Sequence, residues 1–452
     1  MGACGACTPR TPTMASVHWM ISFKWRAHGA GRPSRAAQLP PRRSRFHRCP
    51  QTCAASRRRS LSAAASPQRI DASASSDGEI EPVTLFDAET SSEIATSWQK
   101  LMRWSRVKTQ QDRNTVLEAT TKIAVLGGGS FGTAMAAMLA KKKAALEVAV
   151  LVRDDASCED INERHANSKY FPGFELPRNV RATTHAEDAI GGAQFVVHAV
   201  PVQHTRVFLE KLRDVIPPDV PLIVLSKGLE VATGLTLADV VPQALGRDQP
   251  ACFLSGPSFA REILEGRPTA VSVASKDQAL VTRVRRLLSG PVFRMSYTND
   301  VVGIEIAGAL KNVLAIAAGI CDGLEVGRNA TAAIVAQGTC EIRWLAVRMG
   351  AAPETMSGLS GLGDIMLTCY GSLSRNRTVG ERLGRGETLQ EIVESSSQVA
   401  EGVATAAAVV SLARKYKVQL PVLTAVASIL NGDLKPSEAL ELLMVLPAQP
   451  DA

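Results

Sequence analysis

The chain has 452 residues and a formal net charge of +8. Because a single hydrophobic core stops growing near ~250 to 300 residues, this length predicts more than one domain. Residues 1–70 hold 13 Lys or Arg and no Asp or Glu, whereas residues 71–452 carry 38 bases against 43 acids, a net of −5. The body is therefore mildly acidic, which argues against a nucleic-acid-binding protein, because such a protein needs its basic side chains on the folded surface.

The N-terminal segment has the composition of a targeting sequence. Residues 1–70 are rich in Arg, Ser, Ala and Pro, which predicts an organellar transit peptide that is removed, with a disordered basic tail as the alternative. Residues 71–120 are predicted to be a linker or adaptor. Their first part, residues 71–99, holds seven acids and no base, and a short helix is expected at Ser91–Met102.

The cysteines predict a reducing compartment and no metal centre. They are scattered through the body without close pairs and are interpreted as buried apolar filler. The spacing of Cys4 and Cys7 matches half of a zinc site, but no second half follows, so no metal is predicted. No window of 18 uncharged apolar residues occurs, and no membrane span is predicted.

The first motif of the body is a glycine-rich turn between a strand and a helix. The apolar run Ile123–Leu126 precedes Gly127, Gly129 and Gly132 in G-x-G-x-x-G spacing, and a helical pattern follows at Thr133–Leu139. Glycines let the backbone approach a pyrophosphate, and the helix N-terminus offers unpaired N–H groups. This context favours dinucleotide binding over a purely structural turn.

From Thr121 the pattern alternates between strand and helix, which predicts a mainly parallel, doubly wound α/β sheet of Rossmann-like type. A basic helix, Val281–Leu288, is expected between the last two strands. The further predicted strands are Glu147–Val152, Phe195–Val200, Pro221–Ser226, Ala251–Leu254, Thr269–Ala274 and Val292–Tyr297.

Three side chains at strand ends are candidates for the ligand crevice, because open α/β sheets bind ligands outside the carboxyl ends of their strands. Arg153 has two interpretations: it stacks on adenine and tolerates a 2′-phosphate, or it balances the charges of Asp154 and Asp155. The sequence therefore predicts either NAD or NADP as the cofactor. Lys227 also has two interpretations: it binds a phosphate or a developing oxyanion, or it is a solvated loop residue. His198 lies in an apolar run and is interpreted as a core histidine in preference to a catalytic one.

From Val301 onward the pattern is helical, which places a domain boundary near residue 300. We expect a cofactor domain at 121–300, a helical substrate domain at 301–442 and a tail at 443–452. The segment Glu305–Ile320 is apolar nearly all round, which indicates a buried helix. Lys311 lies within it, and a buried lysine is costly unless it is paired or used. It is either an acid/base group with a lowered pKa or the partner of Glu305 or of a distant acid.

Two later segments also carry candidate polar groups. The glycine-rich loop SGLSGLGD ends at Asp364, which could simply cap the following helix, Ile365–Cys369. Ser374–Arg377 reads SRNR, either a solvated basic turn or a phosphate site that uses the planar fork of Arg375.

Taken in order, several motifs together resemble NAD(P)-dependent glycerol-3-phosphate dehydrogenase of the bacterial and plastid type. The resemblance covers about residues 121–430 and is much more specific than the glycine fingerprint alone. The motifs are GGGSFGTA at 127–134, SKGLE at 226–230, GPSFA at 256–260, EIAGALKN at 305–312, GLSGLGD at 358–364 and SRNR at 374–377.

The resemblance implies reversible hydride transfer between dihydroxyacetone phosphate and sn-glycerol 3-phosphate, for glycerolipid synthesis, with NAD(H) or NADP(H). It further implies a homodimer in the plastid stroma, the mitochondrial matrix being the alternative. Lys311 would be the general acid/base, Asp364 would orient it, and Lys227 would contact substrate and cofactor. The other implied substrate residues are Gly256, Ser258, Asn312, Thr368, Ser374, Arg375 and Asn376. The other implied cofactor residues are Gly127, Gly129, Ser130, Phe131, Gly132, Arg153, Ala260, Arg375, Val399 and Glu401.

One position departs from part of the family, since the cytosolic animal type carries Asn where this chain has Ser258. Two other functions remain alternatives: another β-hydroxyacid-type dehydrogenase, and a non-catalytic sensor that binds NAD(H). The SRNR and GLSGLGD motifs favour the glycerol-3-phosphate enzyme over the first. Lys311, Asp364 and Arg375 count against the second, because a sensor needs only the first domain.

Overall fold

The structure is a computed structural model that describes residues 86–111, 115–396 and 400–445. The predicted transit peptide therefore lies outside the described residues, as do most of the tail and the early part of the predicted linker.

Eight strands form one sheet in the order β3-β2-β1-β4-β5-β6-β7-β8. Neighbouring strands are parallel except β6 and β7, which are antiparallel, so the predicted mainly parallel sheet is confirmed. The strands are β1 Lys122–Leu126, β2 Glu147–Leu151, β3 Val180–Thr183, β4 Phe195–His198, β5 Leu222–Val224, β6 Ala251–Ser255, β7 Thr269–Ala274 and β8 Phe293–Thr298.

Helices cover both faces of this sheet. In β1, Ile123 and Val125 belong to one core cluster and Ala124 and Leu126 to another, as expected for a strand buried on both sides. The helix α1, Ala88–Gln111, precedes the sheet, and its side chains from Ser91 to Ser105 are exposed. The other helices of this part are α2 Val116–Ala119, α3 Ser130–Ala140, α4 Asp155–Glu163, α5 Ala186–Ile190, α6 Val202–Lys211, α7 Leu237–Leu245, α8 Ala260–Leu264 and α9 Gln278–Leu288.

After β8, the described residues form helices and no further strand. These helices are α10 Val301–Gly323, α11 Arg328–Arg348, α12 Asp364–Tyr370, α13 Arg375–Gly384, α14 Leu389–Ser395, α15 Glu401–Tyr416, α16 Pro421–Asn431 and α17 Pro436–Met444. A 3₁₀ turn, Pro353–Ser357, and a π-helical turn, Leu359–Gly363, precede α12.

The centre of the helical part is α10, which confirms the buried helix predicted at Glu305–Ile320. Its length and composition would suffice to cross a membrane, but 89% of its most apolar window is buried inside the protein. Close packing against α13 depends on glycines of both helices. A Cβ built on Gly319 would lie 2.0 Å from Arg377 O, and one on Gly380 would lie 2.0 Å from Ile316 O. The two backbones therefore touch where no larger residue fits.

The sequence located the strands that it predicted to within two residues at each end. It missed β3, because Val180–Thr183 alternates buried and exposed residues over a single short stretch with no continuous apolar run. The helix expected at Ser91–Met102 is part of the longer α1, Ala88–Gln111.

Candidate active site

The glycine turn after β1 is shaped to admit a pyrophosphate. Gly127 has φ +109°, and a Cβ there would lie 3.0 Å from Ala199 O. At Gly132 a Cβ would lie 2.0 Å from Gly127 O, so packing alone requires both glycines. Gly129 differs, because nothing lies within 4 Å of its Cβ position, immediately before α3 begins at Ser130. The backbone at Gly129 is therefore open at a helix N-terminus, which fits a dinucleotide.

Arg153 lies exposed two residues after the end of β2, at the carboxyl edge of the sheet. The side chain of Asp154 accepts a hydrogen bond of 2.9 Å from Ser157 N and thereby caps α4. Asp154 thus has a structural use of its own.

The other predicted cofactor residues are spread over several elements. Phe131 lies in the first turn of α3, Ala260 begins α8 and Glu401 begins α15. Val399 lies outside the described residues.

Lys227 follows β5 and points its amine into a cluster of oxygen atoms. Its Nζ donates to Gly256 O at 2.9 Å and to Ser258 Oγ at 3.3 Å, and pairs with Asp364 Oδ2 at 2.9 Å. The side chain is only 16% exposed, so the interpretation as a solvated loop residue is wrong. Gly256 is required by its backbone, which has φ +134° and would bring a Cβ within 2.9 Å of Val271 Cα.

Lys311 meets the same carboxylate from the other side. Its Nζ lies 2.6 Å from Asp364 Oδ1 and donates to Thr368 Oγ1 at 2.8 Å. Burial lowers the pKa of Lys311 to about 8, even though the negative charge of Asp364 acts in the opposite direction. The predicted pairing with a distant acid is therefore confirmed, and it coexists with a pKa in the range useful for acid/base chemistry.

The alternative pairing of Lys311 with Glu305 is wrong. The carboxylate of Glu305 accepts from Ala238 N, near the start of α7, at 3.2 Å from each oxygen. Burial raises the pKa of Glu305 to about 8. Glu305 therefore joins α10 to the sheet part of the molecule.

Asp364 is fully buried between the two lysines. Burial alone would raise its pKa, but the ammonium groups of Lys227 and Lys311 prevail and lower it below the ordinary value. The expected N-cap role is wrong, because Gly363 occupies the cap position and Asp364 lies inside the first turn of α12. The π-helical turn just before it, Leu359–Gly363, is a feature that proteins often place at functional sites.

The SRNR segment forms the start of α13 and is not a solvated turn. Ser374 is buried, and its Oγ accepts from Arg377 N at 3.3 Å as the N-cap. Arg375 is exposed at the first helical position. Arg377 belongs elsewhere, since its guanidinium donates to Asp322 Oδ2 at 2.8 Å and 2.5 Å.

Asn376 and Asn312 form a buried amide link that sequence reasoning missed. Asn376 Nδ2 donates to Asn312 Oδ1 at 3.0 Å, and Asn376 Oδ1 accepts from Gly402 N at 2.9 Å. A Cβ on Gly402 would lie 2.6 Å from Asn312 O. The link joins α10, α13 and α15 beside Lys311. Both asparagines were candidates as substrate residues, but no sequence pattern pairs two positions 64 residues apart.

Glu401 adds a second acid to this region. Burial raises the pKa of Glu401, and the positive charges of Arg375, Lys311 and Lys227 oppose that rise. These three cations, Asp364 and Glu401 therefore share one electrostatic environment. An environment with this excess of positive charge favours an anionic ligand.

His198 is part of the core and does not line the crevice. It is fully buried, and its Nε2 lies 3.0 Å from Thr205 Oγ1. Burial lowers its pKa to about 4, so the ring is neutral at physiological pH. The prediction of a core histidine is confirmed.

The chain matches two family models and is similar to proteins of known function. The N-terminal model of the NAD-dependent glycerol-3-phosphate dehydrogenase family matches residues 122–281, and its C-terminal model matches residues 300–441. A chloroplastic glycerol-3-phosphate dehydrogenase [NAD(+)] of Oryza sativa is 57% identical over 355 residues, 78% of this chain and 81% of that protein. This match is longer than the 331 residues from Lys122 to Ala452, so it reaches upstream into α1.

Bacterial proteins are similar over a shorter stretch. A glycerol-3-phosphate dehydrogenase [NAD(P)+] of Oleidesulfovibrio alaskensis is 45% identical over 324 residues, 72% of this chain and 98% of that protein. The crystal structure of glycerol-3-phosphate dehydrogenase from Coxiella burnetii superimposes with a TM-score of 0.69 at 34% identity, covering 72% of this chain and 99% of that one.

Proposed function

The chain belongs to the NAD-dependent glycerol-3-phosphate dehydrogenase family, and on that premise we propose which of its residues carry out the reaction. It is an NAD(P)-dependent oxidoreductase acting on a CH–OH group. The reaction is the reduction of dihydroxyacetone phosphate to sn-glycerol 3-phosphate and its reverse. When bound, the nicotinamide supplies the hydride.

Lys311 is the group that gives a proton to the substrate oxygen during reduction. Hydride transfer to a ketone builds negative charge on the carbonyl oxygen, and a positioned ammonium both stabilises that charge and neutralises it. A pKa of about 8 lets the Lys311 amine exist in both protonation states near neutral pH. In the oxidative direction, the same amine accepts the proton of the substrate hydroxyl.

Asp364 and Lys227 hold Lys311 in place and set its charge. Because one carboxylate contacts two amines, at 2.6 Å and 2.9 Å, the three side chains together carry one net positive charge when Lys311 is protonated and none when it is neutral. Lys227 faces Gly256 and Ser258 on the sheet side, and Lys311 faces Thr368 on the helical side. The carboxylate thus orients two amines toward one space, where the substrate oxygen would lie.

The start of α13 holds the substrate phosphate. Arg375 supplies a planar guanidinium, and the N-terminus of a helix adds a partial positive charge and unpaired N–H groups. Thr368 and Ser374 contribute hydroxyl groups on the same side. Asn376 acts mainly through its buried amide link, which fixes α13 against α10.

The cofactor lies along the carboxyl edge of the sheet. The open backbone at Gly129 and the N-terminus of α3 receive the pyrophosphate, and Arg153 lies at the adenosine end. Ser130, Phe131, Ala260 and Glu401 line the same path. The boundary between the cofactor domain and the helical substrate domain falls near residue 300, so both domains contribute to the site.

The mature enzyme works in the plastid stroma as a homodimer, and its product supplies glycerolipid synthesis. Chloroplastic relatives in Oryza sativa and Arabidopsis thaliana support the compartment. The acid-free composition of residues 1–70 supports removal of a transit peptide.

The observation that carries this assignment is the buried Asp364 carboxylate held between Lys227 and Lys311. The test compares turnover with NADH on dihydroxyacetone phosphate and on unphosphorylated dihydroxyacetone, and turnover with NAD+ or NADP+ in the oxidative direction on 6-phosphogluconate and hydroxyisobutyrate. We expect turnover on dihydroxyacetone phosphate alone, because the phosphate site is required. Preference for a hydroxyacid would instead assign the chain to the wider β-hydroxyacid group.

A further inference from the structure

Asn167 ties the glycine turn to a distant part of the chain. It lies between α4 and β3 and is only 3% exposed. Its Nδ2 donates to Gly128 O at 2.9 Å and to Thr133 Oγ1 at 2.8 Å. Thr133 Oγ1 in turn donates to Gly128 O at 3.3 Å. Two side chains, from two separate segments, therefore converge on one backbone carbonyl inside the turn.

Asn167 is itself held firmly by its own segment. Its carbonyl oxygen accepts from Phe171 N at 2.8 Å, and the Phe171 ring packs in the hydrophobic core on one face of the sheet. The N–H of the next residue, Ser168, donates to Asp160 Oδ2 at 2.7 Å, in the last turn of α4. These contacts fix the backbone at Asn167, so its amide is a rigid support for the turn.

The supported carbonyl belongs to the peptide that joins Gly128 to Gly129. A trans peptide is planar, and its C=O and N–H groups point in opposite directions. The described residues contain no cis peptide. Because Gly128 O faces Asn167, the Gly129 N–H faces away from it. Within the part of the chain that the structure describes, this N–H donates to no protein acceptor, and no atom lies within 4 Å of the Gly129 Cβ position.

We propose that Asn167, acting with Thr133, is a positioning residue for cofactor binding. The two side chains hold Gly128 O and thereby keep the Gly129 N–H directed at the pyrophosphate. A donor that is oriented before its ligand arrives needs no reorganisation on binding. If the peptide rotated, its carbonyl oxygen would face the anion and repel it. This inference rests on the proposed cofactor site at the glycine turn.

Asn179 provides a matched control for Asn167. Its Nδ2 also donates to backbone carbonyls, those of Ala140, Lys143 and Leu146, at 3.0 Å, 3.2 Å and 2.7 Å. It directly precedes β3, so it lies at the amino edge of the sheet, opposite the glycine turn. Asn179→Ala therefore removes the same kind of contact and should lower stability without changing cofactor binding.

Asn167→Ala should raise the Kd for NADH by roughly tenfold, because the pyrophosphate loses one oriented donor. The KM for NADH should rise with it, whereas kcat at saturating NADH and the KM for dihydroxyacetone phosphate should stay near those of the wild type. Fluorescence titration and steady-state kinetics measure these values. An unchanged Kd in Asn167→Ala, or an equal rise in Asn179→Ala, would overturn this inference alone. A folded wild type that binds neither NADH nor NADPH would overturn the proposed cofactor site as well.

Thr133→Val tests the same carbonyl by removing a hydroxyl at nearly constant side-chain volume. The variant loses one donor to Gly128 O, so its Kd for NADH should rise by roughly two- to fivefold. Because both side chains act on one carbonyl, the double variant Asn167→Ala with Thr133→Val should raise the Kd by less than the product of the two single effects. A full product would overturn the shared mechanism. If Asn167→Ala does not fold, Thr133→Val decides alone, and a wild-type Kd in that variant would overturn the inference.

Discussion

At the residue scale, Asp364 decides the chemistry of the site. A buried carboxylate that contacts two ammonium groups stays ionised. Burial lowers the pKa of Lys311 to about 8, and the negative charge of Asp364 opposes a larger fall. Removing Lys311 leaves Asp364 still paired with Lys227 at 2.9 Å, so the fold should tolerate the loss. Removing Asp364 would leave two buried cations without compensation, which is much more costly.

Lys311→Ala should lower kcat by roughly 10²- to 10⁴-fold or more, because the reaction would lose the proposed proton donor. NADH affinity should stay nearly unchanged, since Lys311 lies beyond the glycine turn. Lys142→Ala is a matched control: burial also lowers the pKa of Lys142 to about 8, but its amine donates to Ser289 O at 2.7 Å, away from the site. Steady-state kinetics and NADH fluorescence titration measure both effects. A Lys311→Ala variant that keeps most of its kcat would refute the assigned role.

In the proposed phosphate site, the guanidinium of Arg375 would contact the substrate in both ground and transition states, so Arg375→Ala should mainly raise KM for dihydroxyacetone phosphate. Loss of one charge-assisted contact corresponds to about 1.5 to 3 kcal/mol, or roughly 10- to 150-fold in kcat/KM. Arg385→Ala removes an exposed arginine from the end of the same helix and serves as the control. An unchanged KM would remove Arg375 from the phosphate site.

At the element scale, the sequence predicted those features that depend on local pattern. Apolar runs such as Ile123–Leu126 located the central strands, and the all-round apolar pattern located α10. The same reasoning could not find contacts between distant residues. It left Lys227 as a loop lysine or a site residue, because only tertiary packing brings Asp364 to within 2.9 Å of it, 137 positions later.

The α13 helix is positioned by glycine contacts with α10, and this makes the phosphate site sensitive to packing. In Gly380→Ala the new Cβ would meet Ile316 O at 2.0 Å and Ile320 N at 2.9 Å, both backbone atoms that cannot rotate away. We expect a loss of about 1–3 kcal/mol in unfolding free energy and a raised KM, because the start of α13 moves. Thr378→Ala, on the exposed side of α13, should change neither. Urea unfolding and kinetics on both variants check this, and a fully stable Gly380→Ala protein with an unchanged KM would contradict it.

A buried acid ties α11 to α16. Glu341 is fully buried and accepts from Val422 N at 2.9 Å and Leu423 N at 3.0 Å. Burial raises its pKa to about 7 from an ordinary value of 4.5. A raised acid pKa means that the folded state binds the Glu341 proton more tightly than the unfolded state does. The resulting contribution to the free energy of unfolding is complete below about pH 4.5 and is lost as pH rises to about 7.

Glu341→Gln removes this titration. At pH 5 its free energy of unfolding should be about 1 kcal/mol lower than that of the wild type, because one amide oxygen replaces two carboxylate oxygens. Between about pH 5 and pH 8, its free energy of unfolding should fall less than that of the wild type. Urea unfolding at both pH values measures the difference. Glu354→Gln, at an exposed position, is the control and should follow the wild type. Parallel pH dependence of Glu341→Gln and wild type would contradict the assignment.

At the scale of the whole molecule, the site needs both the sheet and the helices. The sheet part supplies Lys227 and the glycine turn, and the helical part supplies Lys311, Asp364 and Arg375. No single segment carries the chemistry, which explains why each motif alone was ambiguous and why their combination resembled one family. The excess positive charge of the chain lies in residues 1–70, whereas the mildly acidic body concentrates three cations at the site.

The most direct test of this account is the oxidation of NADH by the purified protein with dihydroxyacetone phosphate, followed as a function of pH. We predict oxidation that depends on dihydroxyacetone phosphate and that declines as pH rises through about 8, because only protonated Lys311 can donate to the substrate oxygen. Repeating it with NADPH gives the cofactor preference that Arg153 leaves open. A folded protein that binds NADH but shows no oxidation with either cofactor would contradict the account.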